Sequence, residues 1–440
     1  MFGITNRRHF MTHAAGAAAV TLPGMNFVAG LQAKAADLKK NKKSLIILWM
    51  GGGPATIDLW DMKPGSANGG EHKPRSTKAS GVQITEHLPK VADQFNHLSI
   101  VRSLTTSEGD HNRGSYLMGT GRVLNPLSDF PHIGSALAHQ YSADAEAMKN
   151  MDLPLFMTVG GGGLPGGAGA GFLGMKYANF AVQNAGSAPE NVAPPADVAA
   201  RMERRKMLFD GLEGGLKTNV AADAAQAHKD VYGKALQLVT SSRKEVFEFK
   251  SAQDQADLKR YAPTNSGFGR GCLLARKLVE AGVACVEVQL GGWDMHNGIF
   301  ANLTRTLPAM DAGMAALTED LAKTGKLKDT VIVWMGEFGR TPKINAQGGR
   351  DHWPRCWSVV LGGGNIKGGV AVGSTNADGT EVKDAPTKIG NLYSTIYAGL
   401  GIAESHGDIR DNLGRPRPLA ANPLPGGSEE KATPIKELVG

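Results

Sequence analysis

An aspartate and a histidine stand two residues apart in the segment Asp294-Met295-His296. Side chains two apart in extended backbone point to the same side, so a carboxylate oxygen and an imidazole nitrogen can reach one cation. Both groups are ordinary ligands of divalent metals. The alternative is an ion pair within a loop. We favour a metal site because other acids and histidines occupy equivalent places along the chain.

Four motifs with acids or histidines follow short apolar runs that are typical of buried strands. They occupy residues 51–58, 108–114, 291–297 and 336–342. The carboxyl ends of strands in a parallel sheet lie on one edge, and ligands bind in the crevice there. We therefore expect these motifs, which are distant in sequence, to converge in space.

Two acids in these motifs have competing roles. Glu337 follows directly from a buried strand and is predicted either to bind the metal or to form a salt bridge with Arg340. Asp58, which with Asp61 follows a glycine-rich turn, is predicted either to cap a helix or to enter the site. We carry Glu337 and Asp58 forward as candidate metal ligands.

A further acid and histidine reach the same edge from the other direction. Asp351 and His352 precede the predicted strand at 357–361 instead of following a strand. Glycines in the polar loop before them allow this loop to fold back toward the edge. His352 is therefore predicted to complete a metal site with Asp294 and His296, and Asp351 is another candidate ligand.

The motif at 108–114 supplies the candidate catalytic residues, which are His111, Asn112 and Arg113. A helix is predicted at 113–119, and a helix N-terminus beside these side chains suits an anionic oxygen of phosphate or sulfate. His111 is predicted to act as general acid/base or to bind the anion, and Arg113 to hold its charge. The alternative is a capping loop in which the histidine is only a structural group.

The elements that must position these residues indicate an α/β fold. Apolar runs predict strands at 44–50, 98–104, 155–159, 283–290, 330–335 and 357–361. Between them, residues 268–281 and 307–322 have apolar side chains at helical spacing. Strands that alternate with helices and are apolar on both faces are typical of a doubly wound parallel sheet with helices on both sides.

The N-terminus predicts export. Arg7 and Arg8 belong to a twin-arginine motif, followed by a mildly apolar stretch and a small-x-small cleavage site at 33–35. We expect residues 1–35 to be a signal peptide that directs the protein to the periplasm or outside the cell. Residues 36–440 are predicted to form a single domain.

Two parts of this domain differ from the rest. Residues 192–262 are polar, rich in alanine and poor in strand formers, which predicts a helical insertion. Its longest helix is predicted from about Ala221 to Tyr261. From Pro416 onward, proline, glycine and charge predict a loose tail.

Composition excludes several classes of protein. The formal charge is +7, and loss of residues 1–35 removes three basic residues and no acid, which leaves +4. The remaining charges are mixed, with no basic–aromatic interleaving, so no nucleic-acid partner is expected. The apolar stretch near the N-terminus is short and interrupted, so no transmembrane anchor is expected. Three widely spaced cysteines make no disulfide framework.

Together the motifs resemble the exported domain-of-unknown-function 1501 family, which looks related to sulfatases and alkaline phosphatases. The resemblance rests on the twin-arginine leader, Gly-Gly-Pro with Asp58 and Asp61, His111, and residues 293–296, 336–342 and 349–353. It implies an alkaline phosphatase-like fold, a doubly wound three-layer α/β sandwich, with metals at the strand ends. The metal would be a divalent ion such as zinc, calcium or manganese.

The resemblance also assigns roles residue by residue. Asp294, His296 and His352 resemble the Asp, His, His set of one metal site. Glu337 stands where those enzymes have the Asp of an Asp-His-Gly turn, with Phe338 in place of the His.

Two ligand positions depart from the pattern of those enzymes. Glycines 51–53 stand where an acidic ligand would follow the first strand, which leaves Asp58 as a substitute. Alignment on Thr120-Gly121-Arg122 places His111 where sulfatases have a Cys or Ser nucleophile. The resemblance therefore implies hydrolysis without a covalent intermediate.

Two functional hypotheses follow. The leading one is an exported metal-dependent hydrolase of phosphate or sulfate esters, acting on a small-molecule or polysaccharide anionic ester. The second is a non-catalytic metal-containing binding protein on the same fold, because a fold alone does not decide function. Turnover of a panel of aryl phosphates and sulfates discriminates between them.

Overall fold

A computed structural model describes residues 43–144, 148–149, 151–161, 163–189, 219–402, 408–424 and 428–439, with a few single positions between 201 and 211. The predicted signal peptide therefore lies outside the described residues. Strands and helices alternate along the chain, as the sequence predicts. Within the described part of the chain, no helix has both the length and the apolar character needed to cross a bilayer.

The strands are numbered in chain order. They are β1 Ser44–Met50, β2 Pro74–Ser76, β3 Gln83–Thr85, β4 Leu98–Leu104, β5 Phe156–Val159, β6 Phe180–Val182, β7 Cys285–Leu290, β8 Thr330–Met335, β9 Gly339–Arg340, β10 His352–Trp353, β11 Trp357–Gly363, β12 Ala371–Val372, β13 Ser374–Thr375, β14 Val382–Asp384, β15 Asp408–Arg410, β16 Pro416–Pro418, β17 Ala421–Pro423 and β18 Glu429–Lys431. Eight of them form the central sheet, in the order β12-β4-β11-β8-β1-β7-β5-β6. The others pair two by two outside it.

The central sheet is mixed, whereas the sequence predicts a parallel one. β1 runs parallel to β7 and to β8, but β11 runs antiparallel to both of its neighbours, β8 and β4. β4 therefore points in the same direction as β1, β7 and β8. Because β11 is reversed, the residues just before it lie at the same edge as the residues just after the other four strands.

The helices are α1 Pro89–Ala92, α2 His111–Thr120, α3 Ile133–Ser142, α4 Asn219–Thr240, α5 Ala252–Tyr261, α6 Gly267–Glu280, α7 Ile299–Lys323 and α8 Ile389–Gly399. Short 3₁₀ helices lie at Thr56–Asp58, Pro165–Gly167, Gly171–Leu173, Met175–Tyr177, Lys244–Phe247 and Lys326–Asp329. Helices α6 and α7 pack on one face of the sheet, and α3 and α8 on the other. The three-layer α/β sandwich is confirmed.

β1 shows why two helical layers are needed. All but the first of its residues are buried, and alternate side chains point to opposite faces of the sheet. Ile46 and Leu48 belong to the apolar core beneath α6 and α7, whereas Leu45 and Ile47 belong to the core beneath α3 and α8. A strand that is apolar on both faces must be covered on both.

Two predictions about peripheral segments are wrong. The predicted long helix between Ala221 and Tyr261 is two helices, because α4 ends at Thr240 and α5 begins at Ala252. The chain after Pro416 is not a loose tail among the described residues. It contributes three short strands, and Leu438 is fully buried in the core beside α8.

Candidate metal centre

The edge of the sheet at the ends of β1, β4, β7 and β8 gathers predicted site residues from four segments of the chain. Asp294 follows β7, Glu337 follows β8, and His111 begins the helix after β4. His352 lies in β10, just before the antiparallel strand β11, and reaches the same edge for that reason. The expected convergence of the motifs therefore occurs.

Asp294 is the centre of this cluster. Its Oδ1 lies 2.9 Å from His296 Nε2 and 3.4 Å from His352 Nε2. Its Oδ2 lies 3.4 Å from His111 Nε2. The Nε2 atoms of His296 and His352 are 3.2 Å apart. One carboxylate is thus surrounded by the same ring nitrogen of three histidines.

The opposite ring nitrogen of each histidine has an oxygen acceptor. Nδ1 of His111 lies 2.7 Å from Glu337 Oε1, and Nδ1 of His296 lies 2.7 Å from Asp351 Oδ1. Nδ1 of His352 lies 2.8 Å from the carbonyl oxygen of Gly109. Each of these oxygens can only accept, and each lies closer to its Nδ1 than Asp294 lies to the corresponding Nε2, so Nδ1 carries the proton in the neutral ring. Each Nε2 then presents its lone pair to the cluster.

These donors fit a metal ion. Two atoms bound to one ion at zinc–nitrogen distances in a tetrahedron are about 3.4 Å apart, which is close to the spacing seen here. Nε2 of His111 is buried and has no hydrogen-bond partner in the described structure. His111, Asp294 and His352 can each turn one donor atom to a shared ion. Metal-binding histidines usually anchor their second nitrogen on an oxygen, as all three do here.

Electrostatics favour a charged carboxylate at the centre. Burial opposes ionisation of Asp294, but the hydrogen bond and charge of Arg340, with the nearby histidines, lower its pKa to about 2. The hydrogen bond with Glu337 raises the pKa of His111, while burial acts in the opposite direction. A cation that displaces the proton from His111 would therefore find a fully ionised acid beside it.

Glu337 orients His111 rather than pairing with Arg340. Its Oε1 accepts from the backbone N–H of Gly52 at 2.9 Å as well as from His111. The alternative salt bridge to Arg340 is not formed. Oε2 of Glu337 is buried without a hydrogen-bond partner. Direct binding of a metal by Glu337 stays a prediction.

Phe338 takes a packing role next to Glu337. Its ring is fully buried, with its centroid 5.0 Å from the ring of His111 and 4.7 Å from the ring of His352. An apolar ring cannot bind a metal, but it can hold two imidazole rings in place.

Asp58 does not enter the cluster. Both of its oxygens accept from Arg350, at 2.6 and 2.7 Å, and both side chains are fully buried. A carboxylate with two charge-assisted hydrogen bonds to its own arginine is a structural group. This corrects the prediction that Asp58 is a metal ligand. The pair ties the loop before His352 to the 3₁₀ helix after β1.

Asp351 contacts one histidine of the cluster from its far side. Its Oδ1 accepts from His296 Nδ1 at 2.7 Å and from Asn345 Nδ2 at 3.2 Å. The carboxylate therefore holds the far side of the His296 ring. Asp351 thus lies behind His296, a predicted ligand, and direct binding of a metal by Asp351 stays a prediction.

Helix α2 starts two residues earlier than predicted. The helix begins at His111 rather than at Arg113, and Asp110 caps it by accepting from the N–H of Arg113 at 3.0 Å. The exposed guanidinium of Arg113 pairs with Glu108 at 2.9 Å. The arginine of the predicted anion site is therefore already paired with the carboxylate of Glu108. Asn112 is exposed, and roles for Asn112 and Arg113 in binding an anion stay predictions.

Two glycines permit the close approach of the loops. A Cβ on Gly52, where φ is +117°, would lie 2.4 Å from the backbone nitrogen of Asp294. A Cβ on Gly349 would lie 2.1 Å from the backbone carbonyl of His296. The turn after β1 and the loop before β10 thus pack directly against the backbone that carries the central acid and histidine.

Comparison with known proteins supports the resemblance noted in the sequence. The model of the family described as "Protein of unknown function (DUF1501)" matches residues 42–425. The chain belongs to the DUF1501 family. No curated protein matches the sequence significantly.

Solved structures with a related arrangement include sulfatases and alkaline phosphatases. The crystal structure of Ps i-CgsB has 14% identity and a TM-score of 0.36, covering 82% of this chain and 72% of that one. The PsFucS1 sulfatase from Pseudoalteromonas sp. has 14% identity and a TM-score of 0.37, covering 86% and 71%. The alkaline phosphatase from the Antarctic bacterium TAB5 has 11% identity and a TM-score of 0.30, covering 77% of this chain and 96% of that one.

Two site groups of this DUF1501 member are missed by sequence reasoning. In the sequence, Arg340 is considered only as a salt-bridge partner for Glu337, whereas in the structure its guanidinium contacts Asp294. The carbonyl of Gly109 holds His352, and a backbone acceptor gives no sequence signal. The position of Arg340, three residues beyond Glu337 at the same strand end, was the available clue. A cavity of about 610 Å³ beside helices α3 and α4 is lined by none of the cluster residues.

Proposed function

We propose that this chain is an exported metal-dependent hydrolase of phosphate or sulfate esters. One observation carries the proposal: three histidines, each anchored through Nδ1, present Nε2 to Asp294. A bound divalent cation would polarise the ester oxygen and lower the pKa of a water molecule. Nitrogen donors favour zinc over calcium, which prefers oxygen ligands.

The residues around the donors prepare the site. Glu337, Asp351 and the carbonyl of Gly109 fix the orientation of the imidazole rings, so little reorganisation is needed when an ion binds. The side chain of Asp294 is 48% exposed, which leaves the carboxylate open to solvent and to an approaching ester. The site thus has a rigid buried side and an accessible side.

We infer that water, and not a side chain, attacks the ester. The hydroxyl of Thr120 is buried and donates to the carbonyl of Tyr116 at 2.7 Å. The cysteine thiols, Cys272, Cys285 and Cys356, are all buried, and burial raises their pKa values. In the reaction, water supplies a hydroxyl to phosphorus or sulfur as the ester P–O or S–O bond breaks. The remaining proton goes to the leaving alcohol.

The proposed setting is the periplasm or the outside of the cell. The twin-arginine motif at Arg7 and Arg8 supports export of a folded protein. The proposed substrate is an anionic ester of a small molecule or of a polysaccharide, because a site with a metal cation and Arg340 attracts negative charge.

The test measures turnover of 4-nitrophenyl phosphate and 4-nitrophenyl sulfate by the exported chain. The protein is stripped with a chelator and reloaded with Zn²⁺, Mn²⁺ or Ca²⁺. We expect hydrolysis that appears only after reloading and that is lost in Asp294→Asn. His97→Gln should retain it, because His97 precedes β4 at the opposite edge of the sheet.

Two outcomes would contradict the proposal. Metal binding without turnover of any ester in a broad panel would favour the non-catalytic binding protein. A phosphorylated or sulfated serine or threonine trapped during turnover would overturn direct attack by water. Ser107, Ser115 and Thr120 are the positions at which to look for it by peptide mass spectrometry.

A further inference from the structure

Arg340 is a fixed cation in the wall of the site. Its side chain is fully buried. Nε donates to the carbonyl of Gly53 at 2.8 Å, Nη1 to that of Arg350 at 3.1 Å, and Nη2 to that of Gly52. A guanidinium does not lose its proton in a protein, so a positive charge stays at this position at every working pH.

The charge of Arg340 is directed at the central acid. Nη2 also donates to Oδ1 of Asp294, and Nη1 lies 3.2 Å from Nε2 of His296. Among the described residues, Asp294 is the carboxylate within ion-pair distance of Arg340. The three carbonyls hold the guanidinium in place, and its positive charge faces the carboxylate of Asp294.

The two sides of the Asp294 carboxylate are therefore unequal. Oδ1 contacts the buried guanidinium and also faces Nε2 of His296 and His352, whereas Oδ2 faces only Nε2 of His111, at 3.4 Å, among the cluster residues. Hydrolases of phosphate esters often use two metal ions about 4 Å apart, which clamp the attacking and leaving oxygens. Here the buried side of the shared carboxylate already has a cation.

We propose that Arg340 replaces a second metal ion, so that the site binds one divalent ion beside a permanent guanidinium. This inference rests on the proposed function, because it assumes that Asp294 and the histidines bind a metal. It adds the number of ions and the source of the second positive charge. With neutral histidines, the charges that meet at the centre are those of one divalent ion, Arg340 and Asp294, whereas the carboxylates of Glu337 and Asp351 contact the far ring nitrogens of His111 and His296. The centre itself therefore attracts an anionic ester.

The first test counts ions in the wild-type chain. The exported protein is stripped of metal, and Zn²⁺ binding is followed by calorimetry and by native mass spectrometry. We expect one ion per chain in a single binding step. Two ions per chain would overturn the inference and leave the proposed function intact. No binding at all would contradict the proposed function itself.

The second test removes the charge. Arg340→Met should raise the affinity for Zn²⁺ by about tenfold or more, because a positive charge next to the carboxylate disappears. The affinity of the zinc-loaded protein for inorganic phosphate should fall by a similar factor. Arg340→Lys, which keeps the charge, should leave phosphate affinity close to the wild type. Arg75→Met, an exposed arginine outside the site, is the matched control.

A purely structural role of Arg340 predicts that its replacement lowers the affinity for zinc instead of raising it. If Arg340 only holds the loops together, Arg340→Met lowers affinity for both zinc and phosphate, and Arg340→Lys does not restore phosphate binding. That result would contradict the inference. Circular dichroism shows whether Arg340→Met folds. If it does not fold, the number of zinc ions bound by the wild type and by Arg340→Lys decides whether the inference holds.

Discussion

Two aspartate–arginine pairs lie in neighbouring loops and differ in how completely they are paired. Asp58 and Arg350 are both fully buried and make two hydrogen bonds to each other, at 2.6 and 2.7 Å. We call this the anchor pair. Asp294 and Arg340 form the site pair, in which the arginine is buried but the side chain of the aspartate is 48% exposed.

The difference separates a structural pair from a pair in the proposed binding site. Both oxygens of Asp58 are satisfied by its arginine, so the anchor pair has nothing left to offer a ligand. Asp294 instead faces the Nε2 lone pairs of three histidines. Among the described residues, the N–H donor near them is Arg340, which lies beside Nε2 of His296, and Nε2 of His111 has no hydrogen-bond partner. These lone pairs and the carboxylate are donors that a divalent cation could share. Incomplete pairing, rather than residue type, is what favours Asp294 over Asp58 as the acid of the proposed site.

Replacement of Asp294 gives the largest expected effect. Asp294→Asn keeps the shape but removes the charge at the centre of the cluster. We expect the rate of ester hydrolysis to fall by at least about a thousandfold, because metal-assisted charge stabilisation is worth several kcal/mol. The free energy of unfolding in urea should change little. Asp93→Asn, at an exposed acid outside the site, should retain activity.

Replacement of Asp58 should lower the stability of the protein, in contrast to the replacement of Asp294, which should lower activity. Asp58→Asn leaves Arg350 as a buried charge without its partner, which costs about 3–5 kcal/mol. We expect that loss in the free energy of unfolding, measured by urea denaturation. Unchanged stability, together with lost zinc binding, would mean that Asp58 belongs to the site and that the comparison of the two pairs is wrong.

Replacement of Asp351 tests the support behind a ligand. Asp351→Asn weakens the acceptor that holds Nδ1 of His296, so zinc affinity should fall by about 10- to 100-fold. Stability should change little because the carboxylate is more than half exposed. Calorimetry with Zn²⁺ measures the effect. A loss as large as that of Asp294→Asn would place Asp351 among the direct ligands, as the sequence predicts.

The smallest expected effect concerns pH. Glu337 raises the pKa of His111 above its ordinary value of 6.5, so a proton competes with zinc for Nε2 as the pH falls. Zinc affinity should therefore decline through a midpoint above 6.5. In Glu337→Gln the main cause of the raised pKa is gone, and the midpoint should move to lower pH. An unchanged midpoint would show that His111 does not bind the ion.

Much of this architecture could be predicted from the sequence. Apolar runs predict β1, β4 and β8 with their observed bounds, because buried strands need continuous apolar residues. The position of motifs after strands predicts their convergence, since parallel strands share an edge. His352 arrives there because β11 is antiparallel, which the apolar run at 357–361 did not reveal.

The assignment of individual partners could not be predicted. Asp58 and Asp294 both follow glycine-rich strand ends, and only the fold shows that Arg350 reaches one and Arg340 the other. The contacts depend on loops that pack backbone against backbone, as at Gly52. Local patterns predict elements, whereas partner choice among loops is decided by tertiary packing.

The most direct test of the site is the protonation of its imidazoles. Long-range ¹H–¹⁵N spectra of the exported chain at pH 8, assigned with single His→Gln variants, report the tautomer of each ring. We predict Nδ1–H rings for His111, His296 and His352 without metal, and a shift of all three Nε2 signals on addition of one equivalent of Zn²⁺. Protons on Nε2, or Nε2 signals that do not respond to zinc, would contradict the metal site.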